Sequence, residues 1–307
     1  MPNLSFKKEV EVRVVYGTTP TRYKIDVTEI EFGQTFQEKS YEVKTLHNQS
    51  SFEGSVINRA NPAEFSLSFY LVQEDKHKIL FDRLLDSATF DMYISNPGSP
   101  PLGSLPDPVP DQVWKLENCV IQDGNFEINK SRPLRLGISG EAAKLSKFSG
   151  TIPGSEPAAT TSTYIVPTLA TLTLGSDDVS SSVIGVNVEL QNDIQWNRYD
   201  TLQGAAAVTN VATTMYPSAF TQGKQVLGGS IQKYLNERST SVLTWDSDTS
   251  FRLKAGTKGT FYGVDFNISN CSFTNRMSAG GIFGEEYNWR MTQRPTALSS
   301  VITYTTT

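Results

Sequence analysis

The sequence predicts a mainly β protein with two tandem, similar antiparallel β-sandwich or barrel domains, each with a flanking helix or helical turn. Three observations support this class. Short segments in which apolar residues alternate recur along the chain, as in strands with one buried face. Several recur in the same order in both halves, and one segment has the periodicity of an amphipathic helix.

The strand predictions rest on period-two alternation. Val10, Val12 and Val14 share one face of VEVRVVY, and residues 64–71 (EFSLSFYL) alternate in the same way. The second half contains the comparable segments TLTLG, GVNVEL, SFRLKA, VDFNIS and NWRMTQ. Such segments, separated by turn residues, are typical of an antiparallel sandwich or barrel.

The helix prediction rests on the segment EDKHKILFDRLLDSA, residues 74–88. Leu80 and Leu84 lie four residues apart, so a helix would bring them onto one buried stripe. The corresponding segment of the second half, residues 236–248, is shorter and has room for a turn or two of helix at most.

Five matches relate the first half to the second in the same order. They pair VVYG with LTLG, Ile30-Glu31-Phe32 with Val188-Glu189-Leu190, SLSFYL with SIQKYL, Phe90 with Phe251, and the surroundings of Cys119 with those of Cys271. We therefore expect a duplicated domain. The two cysteines would then be equivalent, unpaired positions and not a disulfide.

The repeat sets the predicted boundaries. The first domain covers residues 1–150 and contains a proline-rich insertion at 96–111. Residues 151–167 have the Pro, Gly, Ser and Thr content of a linker. The second domain covers residues 168–307 and ends in a segment predicted as an arm or an added strand.

The charge is mildly acidic and evenly divided. The first 150 residues carry 20 acidic and 17 basic side chains, and the remaining residues carry 12 and 10. This is not the basic surface of a protein that grips phosphate. The sequence predicts no targeting segment and no membrane span.

The sequence does not argue for an enzyme. His47, in a long loop, and His77, on the predicted helix among charges, are expected to be solvated. No phosphate loop, nucleophile elbow or metal-ligand spacing occurs, so we expect no catalytic residue, no metal and no cofactor. A glycoside-cleaving enzyme would need two specific carboxylates, and no pair is indicated.

Two long connections occupy the same place in the repeat, residues 33–54 and 197–225. Loops this long are uncommon in compact domains and are often functional, and an apolar, uncharged segment within one favours association. The side chains expected to contact other subunits are Tyr41, Val43, Leu46, Ala205, Val208, Val211, Met215 and Tyr216.

A duplicated β-sandwich with one helix, a long loop between two early strands and no active site resembles the tail tube proteins of tailed bacteriophages. The resemblance covers about residues 8–148 and 168–295 and rests on architecture and on strand segments such as VINRANPAEFSLSF. It implies a structural virion protein whose sheets join into stacked rings, here homotrimers with pseudo-sixfold symmetry. It further implies assembly in the host cytoplasm, contacts with tail terminator, baseplate and tape-measure proteins, and DNA passing through the lumen unbound.

Two alternatives stay open. A tube initiator or hub protein of the baseplate would carry the same kind of domains. A protein of a different class, a duplicated carbohydrate-binding sandwich, would use exposed aromatic residues such as Trp196, Tyr199 and Tyr216 to stack on sugars.

The lumen of a tube would be lined by polar side chains of neutral or negative charge. The candidates are Glu29 and Glu31 in the first half and Asn187 and Glu189 in the second. The competing interpretation places them on an outer sheet face, because alternation alone does not say which face looks inward.

Overall fold

The computed structural model describes residues 10–44, 52–95, 113–129, 131–155, 157, 161–197, 215–234, 247–279 and 283–307. Within these ranges the chain forms eighteen strands and one α-helix, and the strands pair antiparallel. The predicted mainly β, antiparallel class is confirmed. The insertion at 96–111 and nearly all of 236–248 lie outside the described residues.

The described part of the first half contains ten strands, with helix α1 (Lys78–Asp86) between the sixth and the seventh. The strands are β1 (Glu11–Tyr16), β2 (Thr21–Ile25), β3 (Val27–Gly33), β4 (Phe36–Val43), β5 (Phe52–Ala60), β6 (Ala63–Tyr70), β7 (Phe90–Ser95), β8 (Val113–Asn129), β9 (Arg135–Ala142) and β10 (Lys144–Phe148). The order β2-β1-β7-β8-β10 forms a flanking sheet, and β3-β6-β9-β8 forms a second sheet. The long strand β8 takes part in both.

Eight strands lie in the part of the second half that the structure describes. They are β11 (Leu169–Leu174), β12 (Asp177–Asp178), β13 (Val183–Trp196), β14 (Phe220–Tyr234), β15 (Thr249–Gly256), β16 (Gly263–Ala279), β17 (Phe283–Met291) and β18 (Ile302–Thr305). Their pairings give a flanking sheet β12-β11-β15-β16-β18 and a second sheet β13-β14-β17-β16. Strand for strand, this is the order found in the first half.

The registers of the two halves also correspond. A β-bulge follows Val27 in the pairing of β3 with β6, and one follows Val183 in the pairing of β13 with β14. Counted from this bulge, Glu31 is equivalent to Asn187. The sequence alignment, which matched Glu31 with Glu189, is therefore two residues out of register.

The two halves share one sheet and one core. Strand β13 pairs with β8 from Gly185 opposite Asn129 to Gln191 opposite Asp123, so the second sheets of both halves are continuous. A single cluster of buried apolar side chains runs through both halves. The ring of Phe126 in β8, for example, lies 5.3 Å from that of Phe266 in β16.

The segment between the halves is packed and does not form an extended spacer. Ile152 and Ile165 are 1% and 0% exposed. The Ile165 N–H donates to the Leu71 carbonyl at 3.0 Å, and the Leu134 N–H donates to the Ile165 carbonyl at 2.9 Å. The described part of the predicted linker is therefore held against the first half.

The C-terminal segment adds strand β18 to β16, one of its two predicted forms. Tyr304 in β18 is buried, accepts a hydrogen bond from the Val72 N–H and donates one to the Val72 carbonyl. Its ring lies 5.3 Å from that of Phe81 in α1. The strand therefore holds the second half against the helix of the first.

Helix α1 forms where the apolar stripe predicts it. Leu80 and Leu84 are both 0% exposed, and the helix ends at Asp86, followed by the C-cap residue Ser87 in a left-handed conformation. The expectation that His77 is solvated is wrong. The short 3-10 helix before α1 places its ring in the core, where Nδ1 donates to the Tyr70 carbonyl and Nε2 accepts from the Asp26 N–H.

Candidate assembly surfaces

The continuous sheet, called here the joined sheet, has the strand order β3-β6-β9-β8-β13-β14-β17-β16. One face packs on the core through residues such as Leu67, Ile138 and Leu190, each no more than 3% exposed. The other, called here the polar face, carries the alternate residues. Since side chains alternate along a strand, this division follows from period-two patterning.

All four candidate lumen residues lie on the polar face. Glu31 stands opposite Ser66, and Asn187 stands opposite Ser230. Glu29, Glu31 and Glu189 are exposed and Asn187 is half-buried, and its amide donates to a Glu189 carboxylate oxygen at 2.7 Å. The structure therefore brings the candidates from both halves onto one surface.

The polar face is concave over the junction of the two halves. An open depression of about 610 Å³ crosses strands β3, β6, β9, β8 and β13 and is lined by Glu29, Glu31, Asp123, Asn125 and Glu189, among others. A second depression of about 600 Å³ continues it past Glu64 and Glu141. The two depressions together make a shallow concave surface on the polar face of the first half and of β13.

Charge is unevenly distributed over the polar face. In the first half it carries six carboxylates and one guanidinium, those of Glu29, Glu31, Glu64, Asp123, Glu127, Glu141 and Arg135. Over the stretch of the second half that corresponds to β3 and its neighbours, two carboxylates face two guanidinium groups, those of Glu189, Glu286, Arg276 and Arg290. The first half of the face is therefore strongly acidic and the second is neutral.

Arg135 is held by acidic neighbours. Its guanidinium lies 3.1 Å from the carboxylate of Glu29 and 3.4 Å from that of Glu127, and it donates to the Ser68 hydroxyl at 2.9 Å. A phosphate approaching this part of the polar face would meet a cation that is already neutralised.

The joined sheet ends in two strand edges without a partner in the described part of the chain. Within the described ranges, β3 pairs only with β6, and residues 272–279 of β16 pair only with β17. Met277, in the second of these segments, is 64% exposed. An open edge with an exposed apolar side chain is a template for pairing with another chain.

The first long connection contains a two-stranded hairpin, β4 and β5. Tyr41 and Val43 are about half exposed on it, as are Phe36 and Ile57. A two-stranded hairpin is stabilised by packing on another surface, and the exposed half of each of these side chains is open to such a contact. Leu46, which lies between β4 and β5 in the sequence, is outside the described residues.

The second long connection divides between described and undescribed residues. Ala205, Val208 and Val211 lie outside the described ranges. Met215 and Tyr216 lie within them and contact the base of the hairpin in the same chain. The Ala60 N–H donates to the Met215 carbonyl at 3.0 Å, and the rings of Phe36 and Tyr216 meet edge to face at 6.4 Å.

Sequence reasoning missed the ionic cluster beside the β16 edge. Lys233 and Glu285, both less than 10% exposed, form an ion pair of 2.9 Å, and the Tyr287 hydroxyl donates to Glu285 at 2.7 Å. The equivalent positions in the first half hold Phe69 and Leu136. The alternation of SIQKYL was the available signal, because it directs Lys233 to the apolar side.

The structure offers little for sugar binding or metal chemistry. Trp196 is 7% exposed and packs on Phe220, Tyr216 packs within the chain, and Tyr199 lies outside the described ranges. Among the described residues, no group of His, Cys, Asp and Glu side chains is arranged to hold a metal ion. No helix in these ranges is long and apolar enough to cross a membrane.

Comparison with protein families gives one match that covers nearly the whole chain. Residues 3–305 match the family described as the Bacteriophage Baseplate Tube Protein Family. A search of curated proteins found no match.

Proposed function

This chain belongs to the Bacteriophage Baseplate Tube Protein Family, a family of structural virion components, and from that membership we propose that it builds the wall of a tube through which DNA leaves the virion. Chains join side by side through the joined sheet into rings, and the rings stack. The observation that carries this proposal is the joined sheet itself, which links two halves of the same strand order and, among the residues that the structure describes, leaves an open edge at each end.

Ring closure gives those open edges a partner. The matching strand orders and the shared bulge support a duplicated domain, so three chains would supply six similar units. A homotrimer with pseudo-sixfold symmetry is therefore the assembly we propose. It would form in the host cytoplasm and meet tail terminator, baseplate and tape-measure proteins at its ends.

The concave polar face lines the lumen in this proposal. DNA must pass without being held, and carboxylates repel phosphate, so no deep binding well forms along the path. The neutralised Arg135 supports this role. The chain acts as a structural protein and not as an enzyme.

Electron micrographs of the purified protein test the proposal. We expect rings or tubes with a central channel and a threefold repeat. A protein that stays monomeric at every concentration, salt and pH examined, and also when added to isolated tails, would contradict it.

A second candidate differs in the length of the assembly. The family description names the baseplate, which favours one or a few rings acting as an initiator or hub where the tube meets the baseplate. Long tubes formed by the protein alone support the tail tube, whereas single rings that stop growing support the initiator.

A further inference from the structure

The two halves of the chain are joined by the pairing of β8 with β13. The described part of the chain also has two strand edges that correspond to these two strands but do not pair with each other. Strands β8 and β16 hold the same place in the two halves, as do β13 and β3. Strand β13 pairs with β8, whereas in the described residues the matching edges of β3 and β16 are open. We propose that β3 of one chain pairs with β16 of a second copy, antiparallel and in the register of β8 with β13. This inference rests on the proposed ring and specifies its contact.

Independent landmarks fix the register. Cys119 and Cys271 mark the same point of β8 and β16, the shared bulge aligns β3 with β13, and the motif beginning at Ser66 aligns with that at Ser230. Strand β8 has one residue more than β16 over this stretch, in the bulge between Ile121 and Asp123, and the correspondence after the bulge is shifted by that one residue.

With these landmarks, each pair of the internal junction predicts a pair between chains. Phe126 opposite Val188 becomes Met277 opposite Phe32 of the second copy. By the same correspondence, the pair Asn125 and Glu189 becomes Arg276 and Gly33 of the second copy.

Burial supports this contact. Phe126 is 1% exposed and Val188 0% exposed in the internal junction, whereas Met277 is 64% exposed. Phe32, only partly buried, lies beside Trp114 at the opposite open edge. Pairing the two edges places Met277 against Phe32 and removes an exposed methionine from water.

Charge on the polar face supports the same register. Arg276 is exposed at the β16 edge, and Glu31 is exposed at the β3 edge. Pairing Arg276 with Gly33 brings Glu31 of the second copy to the diagonal position, which is within reach of a long side chain. The neutral end of one chain's polar face therefore meets the acidic end of the next.

Cysteine cross-linking tests the register on the full chain. The variant Gly33→Cys with Arg276→Cys places thiols at two directly opposed positions. Both substitutions spare the fold, because a Cβ at Gly33 meets no atom within 4 Å and Arg276 is exposed. The matched control is Glu189→Cys with Asn125→Cys, the same pair in the internal junction, where both positions are exposed.

We expect the first variant, oxidised in assembled form, to run as covalent multimers, and the control to form a bond within each chain. The single variants should form neither. Preferential cross-linking of Glu31→Cys with Arg276→Cys, which is two residues out of register, would overturn the inference. So would assembled rings in which the control closes and Gly33→Cys with Arg276→Cys does not, although the proposed function would stand.

A second measurement does not depend on disulfide geometry. Met277→Gln puts a polar, uncharged amide into the proposed apolar contact at an exposed site and sets no second carboxylate opposite Glu285. The chain should therefore fold normally, whereas the protein concentration needed for assembly should rise at least tenfold. If this variant assembles as the wild type does, the contact is wrong. If the wild type never assembles, both the contact and the proposed function fail.

Discussion

Cys119 and Cys271 lie at the same point of their long strands, where each strand passes from the flanking sheet into the joined sheet. Cys119 is opposite Phe90 of β7, and the next residue, Val120, is opposite Glu141 of β9. Cys271 is paired with Thr249 of β15 on one side and with Met291 of β17 on the other. Both thiols are free and fully buried, so the prediction that they are unpaired is confirmed.

A small side chain suits a point where two sheets diverge, so serine should be tolerated at either position. We expect Cys119→Ser and Cys271→Ser to leave assembly intact and to lower the free energy of unfolding by about 1–3 kcal/mol, because a hydroxyl enters an apolar site. Denaturant unfolding measures the loss.

Burial also raises the pKa of both thiols, that of Cys271 to about 12. Labelling of the folded protein at pH 8 should therefore be slow, and fast labelling would contradict this placement.

Helix α1 crosses the junction of the halves and packs directly on a glycine of β8. A Cβ at Gly124 would clash with the Leu84 side chain, and the Asn192 amide donates to the Leu84 carbonyl at 3.1 Å. We expect Gly124→Ala to lower the free energy of unfolding by about 1–3 kcal/mol through overpacking. Gly33→Ala, where the added carbon meets open space, is the control and should change stability little. Equal losses of unfolding free energy in the two variants would show that contact with Leu84 does not restrict the size of the side chain at position 124.

The strand of residues 64–71 and the helix that packs on Gly124 show how much of the fold could be predicted from the sequence. The alternation of residues 64–71 and the Leu80–Leu84 stripe are local patterns, so the strand and the helix were predictable. The meeting of Leu84 with Gly124 was not, since it depends on pairing between distant segments. The alignment of Glu31 was two residues in error because the bulge makes Asn187 its equivalent, whereas the similar motif, which contains Glu189, lies two residues further along β13.

The candidate surface was predictable in part for the same reason. Alternation placed Glu29 and Glu189 on a polar face but could not say that the face is concave. It also could not identify the open edges, because a strand's neighbours are absent from its own sequence. The apolar contact offered by Met277 becomes visible only when its exposure is compared with that of Phe126.

The buried pair Lys233–Glu285 should respond strongly to removal of one partner. Lys233→Met leaves an uncompensated carboxylate, so we expect a loss of about 3–5 kcal/mol. The double variant Lys233→Met with Glu285→Leu resembles the apolar first half and should be more stable than either single variant. Denaturant unfolding of all four proteins gives the coupling. Additive losses would mean that the two charges do not interact.

The same cluster predicts acid sensitivity below about pH 4.5. Burial raises the pKa of Glu285, but the Tyr287 hydroxyl and the Lys233 ammonium outweigh it and hold that pKa below its ordinary value. A depressed pKa contributes stability above the unfolded value of 4.5, and this contribution is lost as the pH falls through the folded value. Glu285→Gln should flatten the pH profile in this range only.

His77 predicts a separate window at higher pH. Burial lowers the pKa of its imidazole to about 4 from 6.5, against the hydrogen bond to Tyr70. Because the folded state disfavours the proton, stability is full above about pH 6.5 and should fall by about 3 kcal/mol as the pH drops to 4. His77→Gln should reduce this slope. An unchanged slope would mean that other titrating groups cause the loss of stability in this pH range.

The last prediction concerns charge on the concave polar face. If that face lines a DNA channel, reversing two of its carboxylates that lie outside the proposed contact between chains, with Glu29→Lys and Asp123→Lys, should convert a wall that repels phosphate into one that holds it. Removing Glu29 also frees Arg135 from one of its two carboxylates, which adds to the attraction. The variant Asp177→Lys with Asp178→Lys carries the same net charge but changes strand β12 at the edge of a flanking sheet, so it is the matched control.

We expect tubes of the first variant to retain DNA at low salt and to release it as salt shortens the Debye length to about 10 Å at 0.1 M. Sedimentation of labelled DNA with assembled tubes measures retention. Equal retention by both variants would mean that net charge, and not the polar face, governs the contact, and the polar face would then not be the lumen wall.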